Sequence, residues 1–188
     1  MKNKMEQFFD DFLKNGFSIL DVQNLSFLDK IRDELKKQLK SNNLENLHKS
    51  IVDSEVNNER IKSYRSLNNI DNWQSQYFSL ASDKLVNLLG PDISIQSKLN
   101  LSIQMPNDSS SNLDLHTDAL SGQSVFEVVL WVPLTRAFDS NSMYIFSREK
   151  TYEILDNLKE SENRGMKYLF NKYKKYANFL KLNYGQCL

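Results

Sequence analysis

The sequence of 188 residues predicts an α+β fold in a single domain, with helices first and an antiparallel β-sandwich or barrel after them. Two observations predict this class. Apolar residues recur at helical spacing over much of residues 1–92, and from Ile93 onward they alternate with polar residues as in a strand. The strand patterns then follow one another without interleaved helices, and no glycine-rich phosphate loop occurs, which argues against a Rossmann fold.

The first part, residues 1–92, is predicted to be mainly helical. Apolar side chains have helical spacing in residues 3–14, again in residues 25–39, and a third time between residues 71 and 89. Core packing accounts for all three stripes. Residues 41–70 are polar and irregular, so we expect a long loop there.

The second part, residues 93–188, contains the strand patterns. Apolar and polar residues alternate over residues 93–105, residues 125–134 form a near-continuous apolar run that we expect to be covered on both sides, and residues 142–146 form a further strand. A Lys- and Glu-rich stretch at residues 148–182 has helical spacing and is predicted as a helical insertion. The last residues, from Tyr184, begin another strand pattern.

Composition excludes several functional classes. The 24 basic and 24 acidic residues give zero formal net charge, which argues against a strongly electrostatic nucleic-acid binder. No apolar run approaches the roughly 20 residues of a membrane span, and Met1 to Asp10 contain no apolar signal core. We therefore expect a cytoplasmic protein that binds neither nucleic acid nor membrane, in an oligomeric state that the sequence leaves open. The single cysteine, Cys187, leaves no internal disulfide and no cysteine-based zinc cluster.

The residues with the clearest chemistry lie between a polar loop at residues 107–112 and the apolar run. In an extended backbone, Asp114, His116 and Asp118 point to the same face. An imidazole and a carboxylate side by side, from His116 and Asp118, supply two of the three ligands of the 2-His-1-carboxylate triad of non-haem Fe(II) oxygenases. A His-x-Asp tripeptide is weak by itself, because it occurs by chance in many proteins.

Several segments taken together resemble one known family. They are Gln96 with Asn100-Leu101-Ser102-Ile103-Gln104, Leu115-His116-Thr117-Asp118, Ser121-Gly122, the run from Phe126 to Leu134, and Asn141-Ser142-Met143-Tyr144-Ile145. This combination is similar to the sporadic carbohydrate cluster 2-oxoglutarate/Fe(II) oxygenases, which are relatives of the phytanoyl-CoA hydroxylase-like dioxygenases. The resemblance covers residues 93–188 and extends only weakly to the N-terminal helices.

The resemblance implies a fold, a cofactor set and a reaction. The implied fold is a double-stranded β-helix core (a jelly roll, cupin-like) with N-terminal helices and the helical insertion. Iron is expected to be held by His116, Asp118 and a distal histidine, with 2-oxoglutarate and O2 as co-substrates. The implied activity is an oxidoreductase reaction, the hydroxylation of a sugar or sugar-linked metabolite in surface-carbohydrate biosynthesis.

Other polar residues receive expected roles beside the metal ligands. Three amides share the polar face of residues 93–105, and they are expected to contact 2-oxoglutarate or a sugar hydroxyl if that face lines the interior: Gln96, Asn100 and Gln104. A solvent-facing polar row is the other interpretation. Asp114 and Asn141 are expected substrate contacts, although Asp114 suits a surface position equally well. Glu127 lies inside the apolar run, where a buried carboxylate needs a partner, or else at its rim.

The sequence departs from the family pattern at its end. In the family, a strand that begins like Tyr184 to Leu188 leads to the distal histidine, and a later strand carries an arginine for the far carboxylate of 2-oxoglutarate. Neither follows Leu188, and the other histidine, His48, lies in the polar N-terminal half. We therefore expect a fragment with the last jelly-roll strands missing, in which the site is incomplete.

Two other functional classes stay open. One is a catalytically inactive jelly-roll binding or scaffold protein that lacks the distal histidine and arginine. The other is a different metal-dependent jelly roll such as a cupin isomerase, which is disfavoured because the β region contains one histidine and cupin sites usually recruit several. A reading frame that continues past Leu188 into a histidine and then an arginine would favour the oxygenase.

Overall fold

The computed structural model describes residues 3–106, 108 and 113–188. About 51% of the described residues are helical, and the β structure among them consists of small antiparallel pairings. The double-stranded β-helix implied by the family resemblance stays a prediction, because pairings this short do not define it. Of the polar loop predicted at residues 107–112, only Asp108 lies within the described residues.

The first helix, α1, spans Lys4–Asn15 and confirms the helix predicted there. Asn3 caps it by accepting hydrogen bonds from the backbone N–H groups of Met5 and Glu6, and the Glu6 carboxylate accepts in return from the Asn3 N–H. Gly16 ends the helix with φ of 84°, a left-handed conformation that a residue without Cβ adopts readily.

Helices α2, Leu25–Gln38, and α3, Asp53–Asn68, pack against each other in the N-terminal half. The apolar stripe predicted for α2 is confirmed, with Leu28 fully buried and Ile31 2% exposed. The loop expected over residues 41–70 is wrong for α3. Ser63 and Leu67 are the residues of α3 classed as buried, so this helix has almost no apolar stripe for a periodicity argument to detect.

The third predicted helix is divided into α4, Trp73–Phe78, and α5, Ser82–Leu89. The break is held by contacts from the residues that precede α2. The Gln23 N–H donates to the Leu80 carbonyl oxygen at 2.9 Å, and the Asn24 side-chain amide donates to Ser79 Oγ at 2.7 Å. In the described part of the chain, no helix combines the length and apolar character that crossing a bilayer requires.

Two antiparallel strand pairs bring distant parts of the chain together. Strand β1, Leu20–Asp21, pairs with β4, Gln186–Cys187, and strand β2, Tyr144–Ile145, pairs with β3, Asn178–Phe179. Residues 178–182 were predicted as helix, and this prediction is wrong. The helical insertion consists of α6, Arg148–Asp156, and α7, Met166–Tyr173, after which the chain becomes extended.

Strand β4 continues into a second pairing on its other side. Leu188 and Trp131 exchange two backbone hydrogen bonds, each of 2.9 Å, and further along the same two segments Ala137 pairs with Leu182. The last residues of the chain therefore lie between β1 and the segment around Trp131. Extended residues from both halves of the molecule meet there in one small antiparallel arrangement.

The alternation predicted for residues 93–105 holds in part as a division between two faces, since Ile95 on the apolar side is 38% exposed. Leu99 and Met105 are buried, whereas the polar residues of this segment are exposed. No ladder of strand hydrogen bonds forms along it, although the structure describes all of its residues. The Asn68 side chain takes the place of a strand partner, since its amide oxygen accepts from the Leu99 N–H at 2.7 Å and its amide nitrogen donates to the Leu99 carbonyl at 3.1 Å.

The apolar run of residues 125–134 is not covered on both sides, which contradicts the expectation. Val125 is 77% exposed and Phe126 88% exposed, whereas Pro133 is buried. Glu127 is exposed as well, so its carboxylate has the rim position that was the alternative. The N-terminal core is instead built mainly from the helices and the loops between them: Phe27, Leu28, Ile31, Leu35, Leu39, Leu44, Leu47, Leu67, Trp73, Leu80 and Leu99.

A tyrosine fastens the end of the chain to α2. The Tyr184 hydroxyl donates to Asp29 Oδ1 at 2.6 Å, and the Arg32 guanidinium lies 4.5 Å from the centre of the Tyr184 ring. Burial and the hydrogen bond to Asp29 both raise the pKa of Tyr184.

We expect Tyr184→Phe to lower the free energy of unfolding by about 1 kcal/mol, because it removes one hydrogen bond to a charged acceptor and retains the ring. Urea denaturation followed by circular dichroism measures this change. Tyr152→Phe is the matched control, since Tyr152 is 62% exposed. Equal stability of the two variants would contradict the fastening role.

Cys187 reports whether β4 opens. The residue is fully buried, and burial raises the pKa of its thiol to about 12. A thiol reagent at pH 8 is therefore expected to react slowly with the folded protein and rapidly in urea, and Tyr184→Phe should accelerate the folded-state reaction. Because the pKa of the Cys187 thiol is higher in the folded than in the unfolded state, the free energy of unfolding is also expected to decline as the pH rises above the ordinary thiol pKa of about 8.5. Rapid labelling of the folded protein would contradict the placement of β4.

Candidate metal centre

The segment around His116 does not form the extended strand that its alternation predicts, because it bends at Leu115 and ends in a tight turn that begins at Asp118. A short 3₁₀ helix spans Asp118–Ser121, and Thr117 caps it, because Thr117 Oγ1 accepts from the Leu120 N–H at 3.2 Å. Gly122 closes the turn with φ of 92°. Asp118 therefore stands at the first position of a turn, where local hydrogen bonds set its backbone.

The imidazole of His116 is held by the backbone of Asp114. Nδ1 of His116 lies 2.6 Å from the Asp114 carbonyl oxygen. A carbonyl oxygen only accepts, so Nδ1 carries the proton and donates it. In the neutral imidazole the lone pair is on Nε2, which lies 3.8 Å from Asp118 Oδ1. This is the tautomer and the type of supporting contact that metal-binding histidines have.

The distance between the two candidate ligand atoms fits a shared ion after a small adjustment. Two adjacent ligands, each about 2.1 Å from one metal, lie about 3 Å apart, so His116 Nε2 and Asp118 Oδ1 need to approach by about 1 Å. Both side chains are partly open to solvent, at 45% and 52% exposure. The pair can therefore hold a divalent ion whose remaining positions are open to small ligands.

The third ligand is not found within the described residues. They contain no group of three or more histidine, cysteine, aspartate or glutamate side chains arranged to bind a metal. His48 lies in the 3₁₀ helix Leu44–Lys49 of the N-terminal half and is exposed. The structure thus brings together His116 and Asp118, as predicted, and adds no further protein ligand from this part of the chain.

The three amides expected to contact 2-oxoglutarate lie on the exposed face of residues 93–105. Gln96, Asn100 and Gln104 are all exposed, and the backbone carbonyl of Gln96 accepts from the Gln74 side chain at 3.2 Å. Exposed amides are consistent with a polar row that faces solvent, and equally with a binding face that is accessible to a ligand. Their contact with a co-substrate stays a prediction.

Asp114 and Asn141 are the expected substrate contacts, and they differ in whether their side chains already form hydrogen bonds within the protein. The carbonyl of Asp114 holds His116, while its side chain is exposed. Asn141 shapes its own turn, since its amide oxygen accepts from the Phe138 N–H at 2.7 Å and its amide nitrogen donates to the Arg136 carbonyl at 3.1 Å. These two local hydrogen bonds account for an asparagine at position 141 without any contact to a substrate.

An aromatic cluster beside the candidate ligands was missed from the sequence. Tyr144 is half-buried, and its ring centre lies 4.6 Å from that of Phe170 and 6.0 Å from that of Phe179. Burial raises the pKa of Tyr144, and the nearby negative charge of Asp114 raises it further.

The same cluster supports the metal-binding segment. Leu115 and Tyr144 both pack against one group of buried side chains, namely Phe146, Ile154, Leu169 and Tyr173. The apolar alternation of residues 113–118 is the signal that predicts an inward-facing Leu115. No sequence pattern pairs Tyr144 with Phe179, because the latter lies in the stretch predicted as helix.

No protein-family model matches this chain, and neither a curated protein nor a solved structure matches it. The candidate metal centre is therefore supported by two lines of evidence from this chain. One is the resemblance of the motifs, and the other is the geometry of His116, Asp114 and Asp118.

We expect His116→Ala to weaken Fe(II) binding at least tenfold in an anaerobic titration, because loss of a supporting contact alone already weakens metal sites by about 10- to 100-fold. Binding by the unaltered chain is expected to be weak, since two protein ligands are in place. Asp114→Asn retains the backbone carbonyl that holds the imidazole and should leave the affinity unchanged. His48→Ala is the matched histidine control. An equal loss in that control, or tight stoichiometric binding by the unaltered chain, would contradict a two-ligand site at His116.

Proposed function

We propose that this protein is an Fe(II)- and 2-oxoglutarate-dependent dioxygenase that hydroxylates a sugar or sugar-linked metabolite in surface-carbohydrate biosynthesis. The observation that supports it best is the His116 imidazole, held by the Asp114 carbonyl with its free nitrogen 3.8 Å from the Asp118 carboxylate. We also propose a cytoplasmic location, where the reducing conditions suit ferrous iron and a free thiol such as that of Cys187.

His116 and Asp118 are the residues that would hold the iron. A bound iron of this class couples the oxidative decarboxylation of 2-oxoglutarate to succinate and CO2 with the transfer of one oxygen atom of O2 to a substrate C–H bond. The chain itself keeps the ligands in place. The Asp114 carbonyl prevents the imidazole from rotating, and the Thr117 cap holds the backbone of Asp118.

Neighbouring side chains would bind and orient the two organic molecules. The amides of Gln96, Asn100 and Gln104 can donate hydrogen bonds to the oxygen atoms of 2-oxoglutarate if the exposed face of residues 93–105 turns toward the site. The exposed carboxylate of Asp114 can accept a hydrogen bond from a substrate hydroxyl. A complete triad also requires a third protein ligand, or a water molecule in its place.

The second candidate function is a catalytically inactive jelly-roll protein that binds a ligand or serves as a scaffold. It is favoured by one observation, the lack of a three-ligand metal group among the described residues. This alternative predicts that no succinate forms from 2-oxoglutarate, whether or not iron binds. The dioxygenase proposal predicts consumption of 2-oxoglutarate.

Succinate formation from 2-oxoglutarate under air, with and without Fe(II), tests the proposal. We expect slow, iron-dependent succinate formation that falls to background in His116→Ala and in Asp118→Ala, because each change removes one of two ligands. His48→Ala should retain the full rate. Where the reading frame continues beyond Leu188, the longer product is assayed in parallel and is expected to be faster. An unchanged rate in His116→Ala would refute the site, and binding of both compounds without succinate would favour the scaffold.

A further inference from the structure

The charge of this chain is unevenly distributed along the sequence. Residues 164–188 contain six basic residues and no acidic residue, so the rest of the chain has a net charge of −6. The six are Arg164, Lys167, Lys172, Lys174, Lys175 and Lys181. An uncompensated positive segment on a neutral protein is a typical feature of a surface that receives an anion.

The structure shows which of these cations are neutralised. Lys172 pairs with Glu160 at 2.9 Å, and its neighbour Lys150 pairs with Glu153 at 2.5 Å. Lys174, Lys175 and Lys181 are exposed and form no salt bridge within the described residues. Arg164 and Lys167 are likewise exposed and in no salt bridge of the described residues, and Lys174, Lys175 and Lys181 are the unpaired cations that lie nearest in sequence to the exposed rings described next.

Exposed aromatic rings lie among these lysines. The Tyr176 ring has the ammonium groups of Lys150 and Lys175 at 4.6 and 4.8 Å from its centre, and the side chain is 42% exposed. Phe179 is 56% exposed. Because Leu180 and Leu182 are buried, the alternation of an extended chain puts Phe179 and Lys181 together on the outer side.

This area is continuous with the candidate metal centre. Phe179 lies opposite Tyr144 in the β2–β3 pair, and Tyr144 packs on the same buried cluster as Leu115. Asp114 and His116 flank Leu115 in sequence. Tyr144 therefore contacts Phe179 and also packs on the cluster that supports the metal-binding segment. We call the residues Tyr144, Lys174, Lys175, Tyr176, Phe179 and Lys181 the basic aromatic surface.

We propose that the basic aromatic surface binds a sugar that carries a phosphate group. The exposed rings pack against the apolar face of the sugar ring, and the lysines pair with the phosphate. The lysines of this surface form no salt bridge within the described residues, so their ammonium groups can pair with one phosphate or diphosphate group. This inference rests on the proposed function for its link to the metal centre, and it narrows the substrate to phosphorylated or nucleotide-linked sugars.

Ligand-observed NMR without iron or 2-oxoglutarate tests the inference with four probes: glucose 1-phosphate, UDP-glucose, methyl α-D-glucopyranoside and inorganic phosphate. We expect the two phosphorylated sugars to bind at millimolar or lower concentration and the neutral glycoside to bind much more weakly. The double variant Lys175→Gln/Lys181→Gln should weaken both phosphorylated sugars about fivefold or more, because two exposed charge pairs are lost. Lys30→Gln/Lys40→Gln removes the same charge from exposed positions around α2 and should have no effect.

The aromatic contribution is tested separately with Phe179→Ala. This variant should weaken glucose 1-phosphate and leave inorganic phosphate unchanged. Equal binding of the neutral glycoside, equal losses in both lysine variants, or no effect of Phe179→Ala on glucose 1-phosphate would overturn the inference. Tighter binding of a 20-nucleotide single-stranded DNA than of either phosphorylated sugar would also overturn it, since that result identifies a polyanion surface.

The binding test of the basic aromatic surface and the turnover test of the proposed function can fail independently. His116→Ala is expected to abolish succinate formation and to bind glucose 1-phosphate as the unaltered chain does. Binding of the phosphorylated sugar without turnover in the unaltered chain would refute the oxygenase and retain the surface. Turnover without any binding of phosphorylated sugars would refute the surface and retain the oxygenase.

Discussion

Backbone hydrogen bonds made by residues 178–188 join the two halves of this molecule. Strand β4 pairs with β1 from the N-terminal half on one side, and Leu188 pairs with Trp131 from the C-terminal half on the other. Buried backbone groups need partners, so a segment in this position brings both neighbours into register. Full burial of Cys187 and the bond from Tyr184 to Asp29 follow from that placement.

Residues 178–188 also contact the side chains that support the candidate metal centre. Phe179 pairs with Tyr144, and the cluster on which Tyr144 packs also receives Leu115. The outward side of the Leu115 segment is shaped by local contacts instead, namely the Asp114 carbonyl and the Thr117 cap. Ligand orientation is thus a local property, whereas the surface that a substrate would cross to reach the ligands depends on long-range pairing.

Sequence patterns predicted the elements whose signal is local. Helix α1 and the stripe of α2 could be predicted because buried apolar residues there follow a helical period, and the faces of residues 93–105 because alternation separates buried from exposed side chains. Helix α3 was missed because it buries little apolar surface. The exposed Phe126 and the extended residues 178–182 were missed because their state depends on which distant segment lies beside them.

The sequence by itself determined the two-residue spacing of His116 and Asp118, the threonine that caps the turn beginning at Asp118, and the excess of positive charge after residue 163. These features depend only on neighbours along the chain. The tertiary structure decided that Nε2 of His116 lies near Asp118, that Tyr144 meets Phe179, and that Lys174, Lys175 and Lys181 form no salt bridge with any described residue. Strands β2 and β3 are separated by α6 and α7, and their pairing is one of many possible strand pairings. The burial and hydrogen bonding of the whole chain select it, and no local pattern encodes that selection.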